Sequence, residues 1–344
     1  MQNKSDKRRC SRRTLLGAAA AGLATAALKP VAGGAAEVPG REAKRSAVRD
    51  RLWIFTVAAG ADNSLLEKGN VHGGSRMTPA EGAFYLNVPN LLLIRNGDQP
   101  QLPDRQLGRA KTEFEQYAIS FRPLDRVVWS VVGSGGQGGM SELPHVLNLA
   151  KKFPNIRGIY LDDFIVDVKQ RADGRAVGRP ALQSADLRRA REQMKSAGRP
   201  LETWVTLYVH EINPARKTAD PAFRGCEPPL TDLLDMFDVL TLWTWNSDEL
   251  KFLDENLAAL EAVAPKSSRI ALGLYVWDFH NSKPVPLELM RHQCELGLKR
   301  LQEGRIHEMI FLANTELDVG LESAEFARQW ITKVGKLPIG PEQR

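Results

Sequence analysis

From position 52 onward, short aliphatic runs alternate with longer amphipathic stretches, and this alternation limits the chain to very few folds. The strand-like runs cover 52–58, 91–95, 127–132, 158–162, 203–210, 239–245, 271–277 and 309–314. The helix-like stretches cover 78–86, 108–120, 141–152, 184–197, 231–237, 247–263, 287–303 and 323–334. Ser141, Ser184, Thr231 and Ser247 have the chemistry of helix N-caps, and Gly198 and Gly304 that of helix stops. Strict alternation implies a parallel sheet with right-handed crossovers. Eight such units predict an α/β fold, a closed (β/α)8 TIM barrel, as one domain over residues 51–340. An open doubly wound sheet usually carries a Gly-rich phosphate fingerprint after its first strand. Ala58-Ala59-Gly60-Ala61-Asp62 lacks that spacing.

Four of the later strands end in pairs spaced two apart: Tyr160 and Asp162, Tyr208 and His210, Trp243 and Trp245, Tyr275 and Trp277. Residues two apart share one face of a strand. The intervening positions are aliphatic, among them Ile159, Leu161, Leu207, Val209, Leu242, Leu274 and Val276. One face thus suits packing on helices, and the other carries rings and ionisable groups towards a common mouth. In a barrel that mouth is the C-terminal face, where chemistry sits. The longest connections, 164–183 and 211–230, follow strands four and five at that face. Aromatic faces stack on the apolar faces of sugar rings, while Tyr hydroxyls and Trp N–H groups supply hydrogen bonds. Tyr160, Tyr208, His210, Trp243, Trp245, Asn246, Tyr275, Trp277, Asn314 and Glu316 are therefore the expected substrate-binding residues. Glycosidic cleavage needs two carboxyl groups. Asp162, with Asp163 one residue later at the rim, supplies one, and Asp278 and Glu211 are the ranked candidates for the other.

Gly158-Ile159-Tyr160-Leu161-Asp162-Asp163-Phe164 resembles the fourth-strand stretch of glycoside hydrolases of the TIM-barrel type. It is similar to the G-x-D-x-D-W-E stretch of chitinase-like barrels, with Tyr160 at the first Asp and Phe164 at the catalytic Glu. The Y-x-D form is closer to α galactosidase-like barrels, and that resemblance implies a strand-four Asp as nucleophile. The implied function is cleavage of glycosidic bonds in a polysaccharide or glycoconjugate, with no cofactor and no metal. Two other readings stay open. Asp162, His210, Asp278, His280 and Glu316 offer oxygen and nitrogen ligands for a divalent ion in a sugar isomerase-like barrel. A catalytically silent barrel that binds carbohydrate is the other.

The N-terminus has its own logic. Lys4, Lys7, Arg8 and Arg9 precede Ser11-Arg12-Arg13-Thr14-Leu15-Leu16, which resembles the twin-arginine export signal. An Ala-, Gly- and Leu-rich segment over 14–28 follows, then small residues at Gly34-Ala35-Ala36. The expectation is a signal peptide over 1–36, a polar linker or arm over 37–50, and a periplasmic or extracellular protein whose partners are the twin-arginine translocase and a carbohydrate. The apolar segment is short of the roughly twenty residues a spanning helix needs, so no stable membrane anchor is expected. The first 36 residues hold seven of the 47 Lys and Arg and one of the 41 Asp and Glu. The remainder is balanced in charge, which argues against nucleic acid as a partner. Beyond the signal, Cys226 and Cys294 are the two cysteines, and sequence leaves their pairing open.

Overall fold

The computed structural model describes residues 46–103, 112–170, 176–212 and 223–339. Eight parallel strands close a barrel: β1 (Leu52–Thr56), β2 (Asn90–Leu93), β3 (Arg126–Val132), β4 (Ile156–Leu161), β5 (Glu202–Tyr208), β6 (Val239–Trp243), β7 (Arg269–Tyr275) and β8 (Glu308–Leu312). Each pairs with the next, and β8 returns to β1 with Met309 beside Leu52 and Leu312 beside Phe55. All eight predicted strands are present. Several are shorter at the C-terminal end than their hydrophobic runs suggested. After Tyr208 the chain turns into a short helix, Val209–Ile212. After Tyr275 it leaves the barrel, and Trp277–Asp278 pairs antiparallel with Lys283–Pro284. Strand parity therefore places residues correctly only as far as Tyr208, Trp243 and Tyr275.

The surrounding helices are α1 (Pro79–Leu86), α2 (Glu113–Ser120), α3 (Leu143–Lys152), α4 (Ser184–Met194), α5 (Leu253–Val263), α6 (Leu287–Gln302) and α7 (Glu322–Val334). Thr78 caps α1 in a reciprocal box with Glu81. The serine caps predicted elsewhere do not form. Glu142 and Gln183 occupy the cap positions of α3 and α4. Asn246 Oδ1 accepts from the Asp248 amide at 3.0 Å, one residue before Ser247. The helix predicted over 231–237 is two 3₁₀ turns, Leu230–Asp232 and Leu234–Met236. Leu230, Leu233, Leu234 and Phe237 have helical spacing and are all buried. The Asp238 amide already bonds to Thr203 O at the start of β6, and Phe237 is extended. Too few residues remain for stable α-helical turns.

Inside the barrel, side chains stack in layers. At the N-terminal end Glu308 is fully buried beneath Arg51, Arg126 and Arg269. Above it the Trp53 and Trp204 rings lie 4.8 Å apart. The next layer holds Phe55, Tyr160, Trp243 and Tyr275. Phe55 meets Trp243 edge-on at 5.6 Å, and Trp243 meets Tyr275 at 5.0 Å. Gly273 on β7 makes room for Trp243, because a Cβ there would come within 2.0 Å of the indole.

The excursions after β4 and β5 contribute a three-stranded sheet of Ile165–Gln170, Ala176–Pro180 and Phe223–Cys226. Residues 46–50, expected at the end of a linker, belong to the barrel body. Val48 is buried, its amide bonds to Leu337 O at 2.9 Å, and the Ile339 amide bonds to Ser46 O at 2.8 Å. The signal peptide and the rest of the arm lie outside the described residues. Cys226 and Cys294 are both free thiols. Among the described residues, no helix is long and apolar enough to cross a membrane.

Candidate active site

A cavity of about 820 Å³ opens at the C-terminal mouth. Its aromatic wall is formed by Phe55, Tyr208, Trp243, Trp245, Tyr275 and Phe279. Trp243 and Tyr275 also belong to the packed interior, so the cavity floor is the top layer of the barrel core. Trp245, two residues past β6, is less buried and meets His280 edge-on at 5.5 Å. His210 stacks on Tyr208 with rings 5.9 Å apart and nearly parallel. Ile165 and Val166, from the edge of the three-stranded sheet, complete one side.

Asp162 and Asp163 both line this cavity, although adjacent residues of a strand face opposite ways. The strand has ended at Leu161, and Asp163 adopts φ 40°, in the left-handed region. This turn brings the second carboxyl back to the side of the first. The conformation costs an L-residue on the order of 1 kcal/mol, and Asp tolerates it better than most. It is held by hydrogen bonds from the Gly135 amide to Asp163 Oδ2 at 2.7 Å and from the Tyr208 hydroxyl to Asp163 Oδ1. The glycine-rich loop after β3 therefore supplies a backbone donor to this carboxylate. Gly136 lies so close to Val166 that a Cβ would come within 1.9 Å of it.

Asp162 is buried at the end of a run of donors. Trp243 Nε1 lies 3.0 Å from the Tyr160 hydroxyl, which lies 2.9 Å from Thr206 Oγ1. Thr206 Oγ1 donates to Asp162 Oδ1 at 2.8 Å. Burial, and then the neighbouring charge of Asp163, push the Asp162 carboxyl well up from its ordinary range. Tyr160 is thus a buried link in this chain and does not line the cavity.

Glu211 sits on the short helix after β5, and its Oε2 accepts from the Tyr208 amide at 2.8 Å. Burial raises its pKa to about 8, with a further push from Asp163. Tyr208 therefore touches both acids, Asp163 through its hydroxyl and Glu211 through its amide.

Besides Tyr160, five predicted site residues are elsewhere, Glu316 among them. Asp278 is fully buried, and its carboxylate accepts from the Ser247 amide and hydroxyl and from the Asn281 amide and side chain. These donors hold its pKa down against the burial that would raise it, and it serves as a brace between loops. Trp277 is buried against the backbone of Gly69, where a Cβ would lie 2.4 Å from the ring. Asn246 caps the helical turn after β6. Asn314 ties β8 to β1, accepting from the Val57 amide and donating to Val57 O and Met77 O.

Glu316 and the unpredicted Asp62 form a second pair of acids. Glu316 is fully buried and accepts from the Ala313 amide at 2.7 Å through Oε2, while its Oε1 has no hydrogen-bond partner. Burial and the nearby Asp62 charge raise its pKa well above normal. Asp62 lines the cavity from the loop after β1, and Thr315 Oγ1 donates to its Oδ2 at 2.6 Å. The sequence signal for Asp62 was a lone acid in a small-residue loop, too weak to single it out. The five ligands suggested for a divalent ion do not converge, since Asp278 and Glu316 are engaged outside the cavity wall. Among the described residues, no group of three or more His, Cys, Asp or Glu side chains is placed to hold a metal ion.

No family model matches the chain, and no curated protein matches it. Solved structures do. A protein of Bacteroides thetaiotaomicron VPI-5482, given the provisional name alpha-L-fucosidase, is similar over 84% of this chain and 98% of its own, at 12% identity and a TM-score of 0.52. The shared property is the barrel. The Bacillus cereus spore cortex-lytic enzyme SleL also matches, at 11% identity over 86% of this chain and 76% of its own, with a TM-score of 0.46. So does the catalytic domain of a beta-amylase from Paenibacillus polymyxa, at 10% identity over 85% of this chain and 100% of its own, with a TM-score of 0.43. Both are too distant to add to the first. Barrels host many chemistries, so function rests on the site.

Proposed function

We propose that the chain is a glycoside hydrolase that cleaves a polysaccharide or glycoconjugate, with Glu211 as general acid and Asp163 as the opposing carboxylate. The observation that carries this reading is the pair itself: two acids in unlike environments, both tied to Tyr208 at one aromatic-walled mouth. Glu211 keeps its proton to about pH 8 and so has one to give to the leaving oxygen at neutral pH. Asp163 accepts two hydrogen bonds and offers its charge at the anomeric carbon, as nucleophile or as base for water. Asp162 sits behind it as a buried acid at the end of the Thr206 relay. Trp243, Trp245, Tyr208 and Tyr275 supply the faces on which sugar rings stack.

The test is release of reducing ends from a broad panel of polysaccharides and aryl glycosides, followed across pH. Activity should fall as pH rises through about 8, where Glu211 loses its proton. Glu211→Gln should lower kcat/KM by about 10²-fold or more and remove that alkaline limb. A stability effect accompanies it. The Glu211 proton is held to about 8 in the folded protein, against 4.5 for an ordinary glutamate. Between those values the unfolded chain releases the proton first, so wild type loses stability as pH rises through this window. Glu211→Gln should flatten that slope in melts recorded from pH 4 to 9. An unchanged alkaline limb would remove Glu211 from the role of acid.

We also propose that residues 1–36 direct twin-arginine export. The order of basic residues, Arg12-Arg13, an apolar segment and small residues supports it. Replacing Arg12 and Arg13 together by Lys should retain the protein in the cytoplasm, as read by fractionation. Undiminished export of that variant would refute the reading.

A further inference from the structure

The cavity has an electrostatic character that an aromatic sugar site alone does not require. Its described ionisable lining is Asp62, Asp162, Asp163, Glu211, His210 and the hydroxyls of Tyr208 and Tyr275; among the described residues lining it, none is Lys or Arg. The carboxyl groups come from two sides, Asp62 after β1 and the other three after β4 and β5. Arg95, near the rim, is turned away: its guanidinium donates to Glu142 at 2.9 Å and to Pro100 O at 3.3 Å.

Asp62 is the informative member. It is 8% exposed, and what remains open faces the cavity. Thr315 Oγ1 donates to its Oδ2. Behind it Glu316 is fully buried, and its Oε1 has no hydrogen-bond partner. A buried carboxyl oxygen without a donor is costly, so this corner of the cavity is short of donors. A ligand that brings several N–H donors and a positive charge would supply Asp62 with them, and it would meet four carboxyl groups and no Lys or Arg among the described lining residues. The faces of Trp243, Trp245 and Tyr208 also favour a cation over an anion.

We propose that the cavity selects a sugar bearing a free amine, an N-deacetylated hexosamine unit, and that Asp62 is the specificity residue that receives its ammonium group. The proposal rests on the glycosidase reading for the sugar, but not on catalysis. The same described lining offers no cation to pair with a uronic acid or another anionic sugar.

The experiment is titration calorimetry of the purified chain from Glu37 with three probes of equal length: glucosamine oligomers, N-acetylglucosamine oligomers and oligogalacturonate. Reducing-end release is followed in parallel. Wild type should bind the free-amine oligomer at least tenfold more tightly than the acetylated one and show no measurable binding of the uronate. That preference should shrink as salt is raised from 0.05 to 0.5 M. In Asp62→Asn the ratio between amine and acetylated oligomers should collapse towards one. Equal or tighter binding of the acetylated or uronate oligomer by wild type overturns the proposal without needing the variant. An unchanged ratio in a folded Asp62→Asn protein overturns the role of Asp62. Amine-selective binding without cleavage would sink the glycosidase reading and leave this inference standing. Cleavage confined to neutral glycans would do the reverse.

Discussion

Asp163→Asn lowers kcat by about 10³-fold or more and leaves the fold intact. The asparagine retains an acceptor for the Gly135 amide, and the Tyr208 hydroxyl can turn to accept from the new side-chain amide. The negative charge at the anomeric carbon is what disappears. Asp162→Asn is expected to cost less, about 10- to 10²-fold. Burial and the adjacent charge already favour the protonated form of Asp162, so the substitution removes a relay partner and not the working charge. Turnover on the best substrate of the panel, with circular dichroism to verify folding, separates the two. A silent Asp162→Asn beside an active Asp163→Asn would exchange the two roles. Full activity in both would dismiss this pair from the chemistry.

The largest stability effect is expected at the other end of the barrel. Glu308 is fully buried on β8, and its Oε1 accepts from Arg126 at 2.8 Å and faces Arg269 at 3.5 Å and Arg51 at 3.8 Å. Its Oε2 accepts from Trp53 Nε1 at 2.7 Å and from Arg126 at 3.1 Å. The Arg126 guanidinium also lies 4.7 Å from the centre of the Trp53 ring. One carboxylate thus gathers three cations contributed by the start of β1, β3 and β7. Glu308→Ala leaves those cations facing one another around a void, at a cost of about 3 kcal/mol. The arginines are partly exposed and recover some hydration, which keeps the figure at the lower end of the buried-pair range. For a domain of this size that corresponds to a fall in Tm of about 6 °C. Because the network is at the opposite end from the cavity, kcat per folded molecule should not change. A melt within a degree of wild type would show that the arginines redistribute onto other acceptors, such as Glu202 beside Arg269.

The legible part of this protein is its repeating part. Alternating segments announced eight parallel strands, and pairs spaced two apart placed Tyr160 and Asp162, Tyr208, Trp243 and Tyr275 on the inner face. Glu211 was legible as an acid at a strand end. Signals that depend on periodicity held as long as the backbone stayed extended. They failed one or two residues beyond. Trp277 and Asp278 continue the hydrophobic run of β7, yet the chain leaves the barrel at Tyr275 and buries both away from the cavity. Asn246 and Asn314 were placed by proximity to strand ends, and loop hydrogen bonds claim them. The apolar spacing of Leu230, Leu233, Leu234 and Phe237 reads as a helix and packs as two tight turns.

The order and hydrophobic faces of the segments by themselves determined the barrel, its mouth and its aromatic, acidic character, because burial of one face per strand admits no other closed arrangement. Which acids share the cavity was decided only in three dimensions. Asp163 reaches it through a left-handed turn stabilised by Gly135 and Tyr208. Asp62 reaches it from the far side of the barrel, over Glu316, more than 250 residues away in sequence. These placements rest on contacts between loops distant in the chain, and no local pattern of residues encodes such contacts.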